Sequence, residues 1–164
     1  MYFRNIIGLH DVKKHLTDSV QRGFIPHARL FHGPEGVGKL PLAIAYARYL
    51  NCEDRAVEDS CGKCASCHKF DKLMHPDLHF VFPVVKSKVS DEYLPEWREF
   101  LSGQTYFNLN DWLNFINAEN AQGIIYSKES DEIIRKLSLK VYEALYKIMI
   151  VWLPEKMHDA CANK

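Results

Sequence analysis

The sequence predicts an α/β fold built around a phosphate-binding loop, and three observations carry that expectation. A short apolar stretch, Ala28-Arg29-Leu30-Phe31, runs into the glycine-rich segment Gly33-Pro34-Glu35-Gly36-Val37-Gly38-Lys39. A helix-compatible run follows from Lys39 to Leu50, and apolar stretches at Leu78 to Phe82 and Lys147 to Leu153 alternate with helical patterns. Strand, loop and helix in that order curl successive backbone N–H groups around phosphate oxygens. The glycines permit positive φ, and Lys39 supplies a point charge.

The chain has 164 residues, enough for one domain with a small appendage, since a chain of about 150 residues buries roughly 70% of its unfolded surface. Lys plus Arg and Asp plus Glu number 21 each, so no global field draws the protein to nucleic acid or to an anionic surface. The N-terminal residues lack a basic segment followed by an apolar one. The longest apolar runs, Phe80 to Val85 and Ile148 to Leu153, fall far short of the ~20 residues of a membrane span. A soluble, cytoplasmic protein with no membrane partner is expected.

Taken in order, Ile6-Ile7-Gly8 opens a helix over Leu9 to Arg22, with Leu9, Val12, Leu16 and Val20 forming one apolar stripe meant to cover a sheet. Residues 28–31 read as a buried strand, and Lys39 to Leu50 as a helix that tolerates Pro41 in its first turn. Cysteines crowd residues 52–67, within a module spanning 51–70. His75-Pro76-Asp77 reads as a turn rather than a catalytic pair, and Leu78 to Phe82 as a strand ended by Pro83. Residues 86–123 read as an insertion with short helices, one capped by Asn110. Its aromatics, Trp97, Tyr106, Phe107, Trp112 and Phe115, are interspersed with Asp91, Glu92, Glu96, Glu99 and Asp111, which suits a packed mini-core better than a nucleic-acid platform. Ile124 to Tyr126 reads as a short strand, Ser130 as the start of a capped helix, and Lys147 to Leu153 as a central strand. The closing run 158–164 is helical in pattern with no cap or turn, which suggests a fragment of a longer domain.

The loop carries a contradiction. A phosphate loop that hydrolyses nucleotide needs a Ser or Thr hydroxyl after its lysine to hold Mg²⁺, and this chain has Leu40. The apolar strand that should end in paired carboxylates runs instead into Trp152-Leu153-Pro154-Glu155. Without these groups the γ-phosphate charge is not neutralised, so hydrolysis should be negligible. Residues 33–39 are then either a weak, Mg²⁺-independent ATP or ADP site or a plain connector. Glu155 reads as a solvated residue.

Cys52, Cys61, Cys64 and Cys67 form C-x8-C-x2-C-x2-C. Thiolates at this density repel one another unless a soft dication neutralises them, which points to one structural zinc ion with a closed shell. Four free thiols or a redox pair are the alternative, and His68 is a possible substitute ligand. Cys161 reads as an ordinary buried thiol.

These residues resemble the clamp-loader ATPases of the AAA+ class, and within them the delta-prime type of bacterial DNA polymerase III. The resemblance rests on Ile6-Ile7-Gly8, on Pro26-His27-Ala28-Arg29-Leu30-Phe31-His32-Gly33-Pro34 leading into the loop, on the four cysteines after the loop helix, on His75-Pro76-Asp77 and on Lys147 to Met157. It covers residues 1–85 and about 124–164. It implies that 1–164 is the N-terminal part of an AAA+ phosphate-loop domain, with a parallel sheet flanked by helices and an inserted zinc module. The function implied is that of a non-hydrolysing subunit in a hetero-pentameric ring that loads the sliding clamp on primed DNA, the fragment alone being monomeric. An ATP-hydrolysing clamp-loader subunit or other active phosphate-loop ATPase, and a zinc-dependent interaction adaptor, are the competing readings. The insertion 86–123 has no counterpart in the family pattern.

Overall fold

The structure, a computed structural model, describes residues 1–163 and arranges them as two compact units. The first comprises residues 1–75 and 144–146, and the second residues 76–143 and 147–164.

The first unit is helical. After a 3-10 turn at Phe3–Asn5 come α1 (His10–Gln21), α2 (Lys39–Leu50) and α3 (Ala65–Asp71). Nearly every residue of α2 is buried, as expected for a helix apolar on all sides. Helix α1 packs against it and buries Leu16 and Val20. Val12, assigned to the same stripe, is largely exposed instead, so the covered face of α1 is only its C-terminal half. At the end of α2 the Asn51 side chain donates to Tyr146 O at 2.8 Å and accepts from Tyr146 N at 3.1 Å. One amide thus anchors the returning segment 144–146.

Residues 28–31 do not form the expected strand. A strand exists through its ladder hydrogen bonds. Here the segment is held by side chains: the Arg29 guanidinium lies 5.1 Å from the Tyr46 ring centroid and the Phe31 ring packs edge-on to the same ring. Leu30 is left 78% exposed.

The second unit contains the parallel pair β1 (Leu78–Val81) and β2 (Ile148–Val151), in register Leu78 with Ile148 through Val81 with Val151. The long crossover between them carries α4 (Leu94–Gly103), α5 (Leu109–Phe115) and α6 (Lys128–Ser138), and α7 (Asp159–Ala162) follows β2. Parallel strands joined through helices make the chain α/β, as expected. The expected strand at 124–126 reduces to single bridges, Val84 with Ile124 and Ile125 with Met157. β2 is not the fully buried central strand foreseen. Among the described residues its ladder partner is β1, and only Ile150 of its four residues is buried. The cap of α5 is Asn108 rather than Asn110: its side chain accepts from Asp111 N while Asp111 accepts from Asn108 N, a reciprocal pair available only at three-residue spacing. Helix α6 begins at Lys128, two residues before Ser130, and has no side-chain cap. Of the closing helical run, α7 forms over four residues and Lys164 lies outside the described residues.

Aromatic side chains of residues 86–123 make the core of this unit together with Phe82. Trp97 is fully buried, stacks on Phe82 at 4.2 Å and meets Trp112 edge-on at 5.0 Å. Trp112 donates its indole N–H to Pro83 O at 2.8 Å. The core extends to the end of β2, where Trp152 lies 5.2 Å from Trp97 and 5.4 Å from Phe107. Cys161 is a buried thiol packed with Val81 and Ile125.

Two expectations follow. Trp97→Ala should cost about 3–5 kcal/mol of unfolding free energy in urea denaturation, the usual cost of deleting a large buried aromatic. Glu129 is 1% exposed and accepts from Ser90 N at 2.8 Å with one carboxylate oxygen, while the other has no partner. Burial raises its carboxyl above the ordinary value of 4.5. The native state therefore holds the proton to higher pH than the unfolded chain, and stability falls as pH rises through that window. Glu129→Gln should remove this fall, so that its stability relative to the parent grows with pH in denaturation curves recorded from pH 4 upward.

Candidate metal centre and phosphate loop

The cysteine cluster is assembled by the end of one helix and the start of the next. Cys52 follows α2, Cys61 and Cys64 lie in the connecting turns, and Cys67 sits in the first turn of α3, whose N-cap is Cys64. All four sulfurs lie within 4.8 Å of one another. The Cys67 sulfur is 3.7 Å from that of Cys52 and 4.0 Å from that of Cys61. A tetrahedron with metal–sulfur bonds of about 2.3 Å has edges of about 3.8 Å, so the set fits a thiophilic dication. His68 is exposed and outside the group.

Backbone amides point at the sulfurs. Cys61 N donates to the Cys52 sulfur at 3.3 Å, Lys63 N and Cys64 N to that of Cys61 at 3.4 Å, and Cys67 N to that of Cys64 at 3.4 Å. Such donors favour thiolate over thiol. The Lys63 amide is the chief cause that brings the Cys61 thiol down to about 6, whereas burial pushes Cys52 up to about 12 and raises Cys67. Cys61 is thus favoured as thiolate, while the two buried cysteines, Cys52 and Cys67, need a cation to ionise. Four sulfurs close the shell and leave no position for water, so the chemistry available is structural.

The glycine-rich segment 33–39 leads directly into α2. Gly36 and Gly38 have φ of +75° and +91°, values open to glycine, and Gly38 caps α2. The Lys39 ammonium donates to Gly33 O at 2.8 Å and Pro34 O at 2.6 Å, folding onto the loop's own carbonyls. Pro34, Glu35 and Gly36 are exposed and Val37 is half-buried. Leu40, the residue after Lys39, is 5% exposed and belongs to the core of the first unit. In the second unit Trp152 donates its backbone N–H to Val81 O at 2.8 Å and turns its ring into the aromatic core. Leu153 follows with φ +56°, and Glu155 is exposed.

Among the buried ionic groups that sequence reasoning missed are Arg48, Asp77 and Asp59. Arg48 is fully buried and bonded to Asp71; its signal was a lone charge in an otherwise apolar helix face. The buried Asp77 carboxylate accepts from Tyr142 N and Glu143 N at 2.7 and 2.9 Å, a role no local pattern announces. Asp59, likewise buried, accepts from Phe3 N and Arg4 N. Among the described residues no helix is long and apolar enough to cross a membrane.

A family model described as DNA polymerase III, delta subunit, matches residues 8–164. Over 105 residues the chain is 31% identical to DNA polymerase III subunit gamma of Buchnera aphidicola subsp. Acyrthosiphon pisum, a match covering 64% of this chain and 28% of that protein. It is 38% identical over 72 residues to subunit delta' of Bacillus subtilis, covering 44% and 22%, and 34% identical over 89 residues to subunit tau of Escherichia coli, covering 54% and 14%. The chain therefore spans less than a third of the length of these relatives.

The sulfur geometry carries an expectation of its own. Elemental analysis of the purified chain should find one zinc per molecule, and Cys67→Ser, which removes a buried ligand, should bring this well below one and lower the melting temperature.

Proposed function

The chain belongs to the DNA polymerase III delta-subunit family of clamp-loader proteins, and from that premise we propose that it is a delta-prime type subunit that does not hydrolyse ATP. Its place is in a hetero-pentameric ring that loads the sliding clamp on primed DNA in the cytoplasm, with residues 1–164 contributing an AAA+ phosphate-loop domain. Residues 51–70 are its zinc module, with Cys52, Cys61, Cys64 and Cys67 holding one structural Zn²⁺. Residues 86–123 are an insertion that builds an aromatic core.

The observation that carries the non-hydrolysing reading is the burial of Leu40. A side chain held in the core offers no oxygen to a metal, and Mg²⁺ held by a loop hydroxyl and a strand-end carboxylate is what neutralises the transferring phosphoryl group. The strand end supports the same reading, because Trp152 is committed to packing against Trp97 and Phe107. The positive-φ glycines of the loop support retained binding of ATP or ADP through backbone N–H groups alone. Nucleotide must then displace the Lys39 ammonium from Gly33 O and Pro34 O, which makes the site weak.

Calorimetric titration of the zinc-loaded chain with ADP and a non-hydrolysable ATP analogue tests this. Weak binding indifferent to Mg²⁺ and no turnover are expected, and Lys39→Ala should abolish the binding. The combined variant Leu40→Thr, Trp152→Asp, Leu153→Glu should remain inactive and lose stability, since Trp152 supports the aromatic core. Mg²⁺-strengthened binding with turnover by the parent chain would identify an active ATPase and overturn the proposal.

A further inference from the structure

Arg48 lies in the last turn of α2, two residues before the helix ends, and is fully buried. A guanidinium in that position needs partners to offset its desolvation, and all of those it has belong to the elements around the cysteine cluster. Its Nη1 donates to Asp71 Oδ1 at 2.6 Å and its Nη2 to Cys67 O at 3.1 Å. Residues 67 and 71 stand one turn apart on α3, so the planar fork grips one face of the helix that supplies the ligand Cys67. The Tyr2 ring covers the other side of the guanidinium at 3.6 Å, and the Tyr2 hydroxyl accepts from Arg48 and reaches Asp71 at 3.4 Å.

Tyr2 also touches the turn between two ligands. A Cβ added at Gly62, between Cys61 and Cys64, would lie 2.9 Å from the Tyr2 hydroxyl oxygen. The next residues are fixed to the same module: Asp59 accepts from Phe3 N at 3.3 Å, Arg4 N at 3.1 Å and Ser60 N at 2.8 Å, one residue before Cys61. The N-terminal turn is therefore built onto the cysteine module through residues 48, 59, 62 and 71, all within the first unit.

We propose that Arg48 is the positioning residue of the four-cysteine metal site and that Tyr2 is its cover, so that metal binding and the docking of residues 2–4 form one coupled equilibrium. The inference rests on the reading of these cysteines as a zinc site. With Cys67 held as a ligand, the first turn of α3 would be fixed, and with it the Cys67 O and Asp71 acceptors that position the guanidinium under the Tyr2 ring. By linkage the docked N-terminal turn raises metal affinity by the same factor that metal raises docking. Loss of an outer-sphere partner typically weakens metal binding ten- to a hundredfold, and Arg48 is the partner that bridges ligand helix and cover.

The test is zinc affinity by chelator competition, with the absorption spectrum of the Co²⁺-loaded chain and amide hydrogen exchange of residues 2–6 as independent readouts. Arg48→Met should weaken zinc at least tenfold and shift the thiolate-to-Co²⁺ bands, and Arg48→Lys should recover part of both. Tyr2→Ala, at a half-buried position that leaves Arg48 intact, should weaken zinc severalfold, and so keeps the proposal testable if Arg48→Met does not fold. In the parent chain, stripping the metal should speed exchange at residues 2–6. Unchanged affinity in both variants, or exchange at residues 2–6 indifferent to metal, would overturn the coupling. A parent chain that takes up no zinc would instead overturn the metal-site reading itself.

Discussion

The enclosure of α2 is the constraint on which the first unit depends. A helix apolar on every side must be surrounded, and this one begins at Lys39 and ends two residues before the first cysteine, Cys52. Its two ends therefore inherit their surroundings from its burial. At the start, Leu40 turns into the core while Lys39 remains with the loop; at the finish, the one internal charge, Arg48, has to find partners in the dark. The glycine-rich loop and the cysteine cluster look separate in sequence, yet they lie at the two ends of one buried helix.

The second unit solves a comparable problem with rings. Two short parallel strands bury little by themselves, and an isolated pair is marginal. Trp97, Phe82, Trp112 and Trp152 supply the missing apolar area, and Trp112 finds its hydrogen-bond acceptor in Pro83 O. Trp152, just beyond β2, is thus a structural element of the unit. Glu155 beyond it is exposed.

Much of this was legible in the amino-acid order. Helix α2 was bounded correctly at Lys39 and Leu50 because glycine before it and apolar residues throughout it act locally, and the cysteine spacing announced the cluster because two C-x2-C turns leave sulfurs little freedom. The strand at 28–31 was misread because an apolar run says that a segment packs, not that it pairs; Arg29 and Phe31 pack on Tyr46 instead. Asn110 lost the cap to Asn108 because capping depends on the partner three residues on, here Asp111. Asp59 and Asp77 were invisible as organisers because they bind backbone amides 55 to 66 residues away, and no window of sequence brings such groups together.

The two-way amide bond between Asn51 and Tyr146 spans 95 residues, so the helical unit is interrupted in the chain by most of its neighbour. On a ribosome adding about 5–20 residues per second, Asn51 waits roughly 5 to 20 s after its own synthesis for Tyr146 to be made. Until then the Asn51 amide lacks the backbone partner that closes the pair, and the first unit is without residues 144–146. The first unit is thus completed only after residues 76–143 of the second have been made.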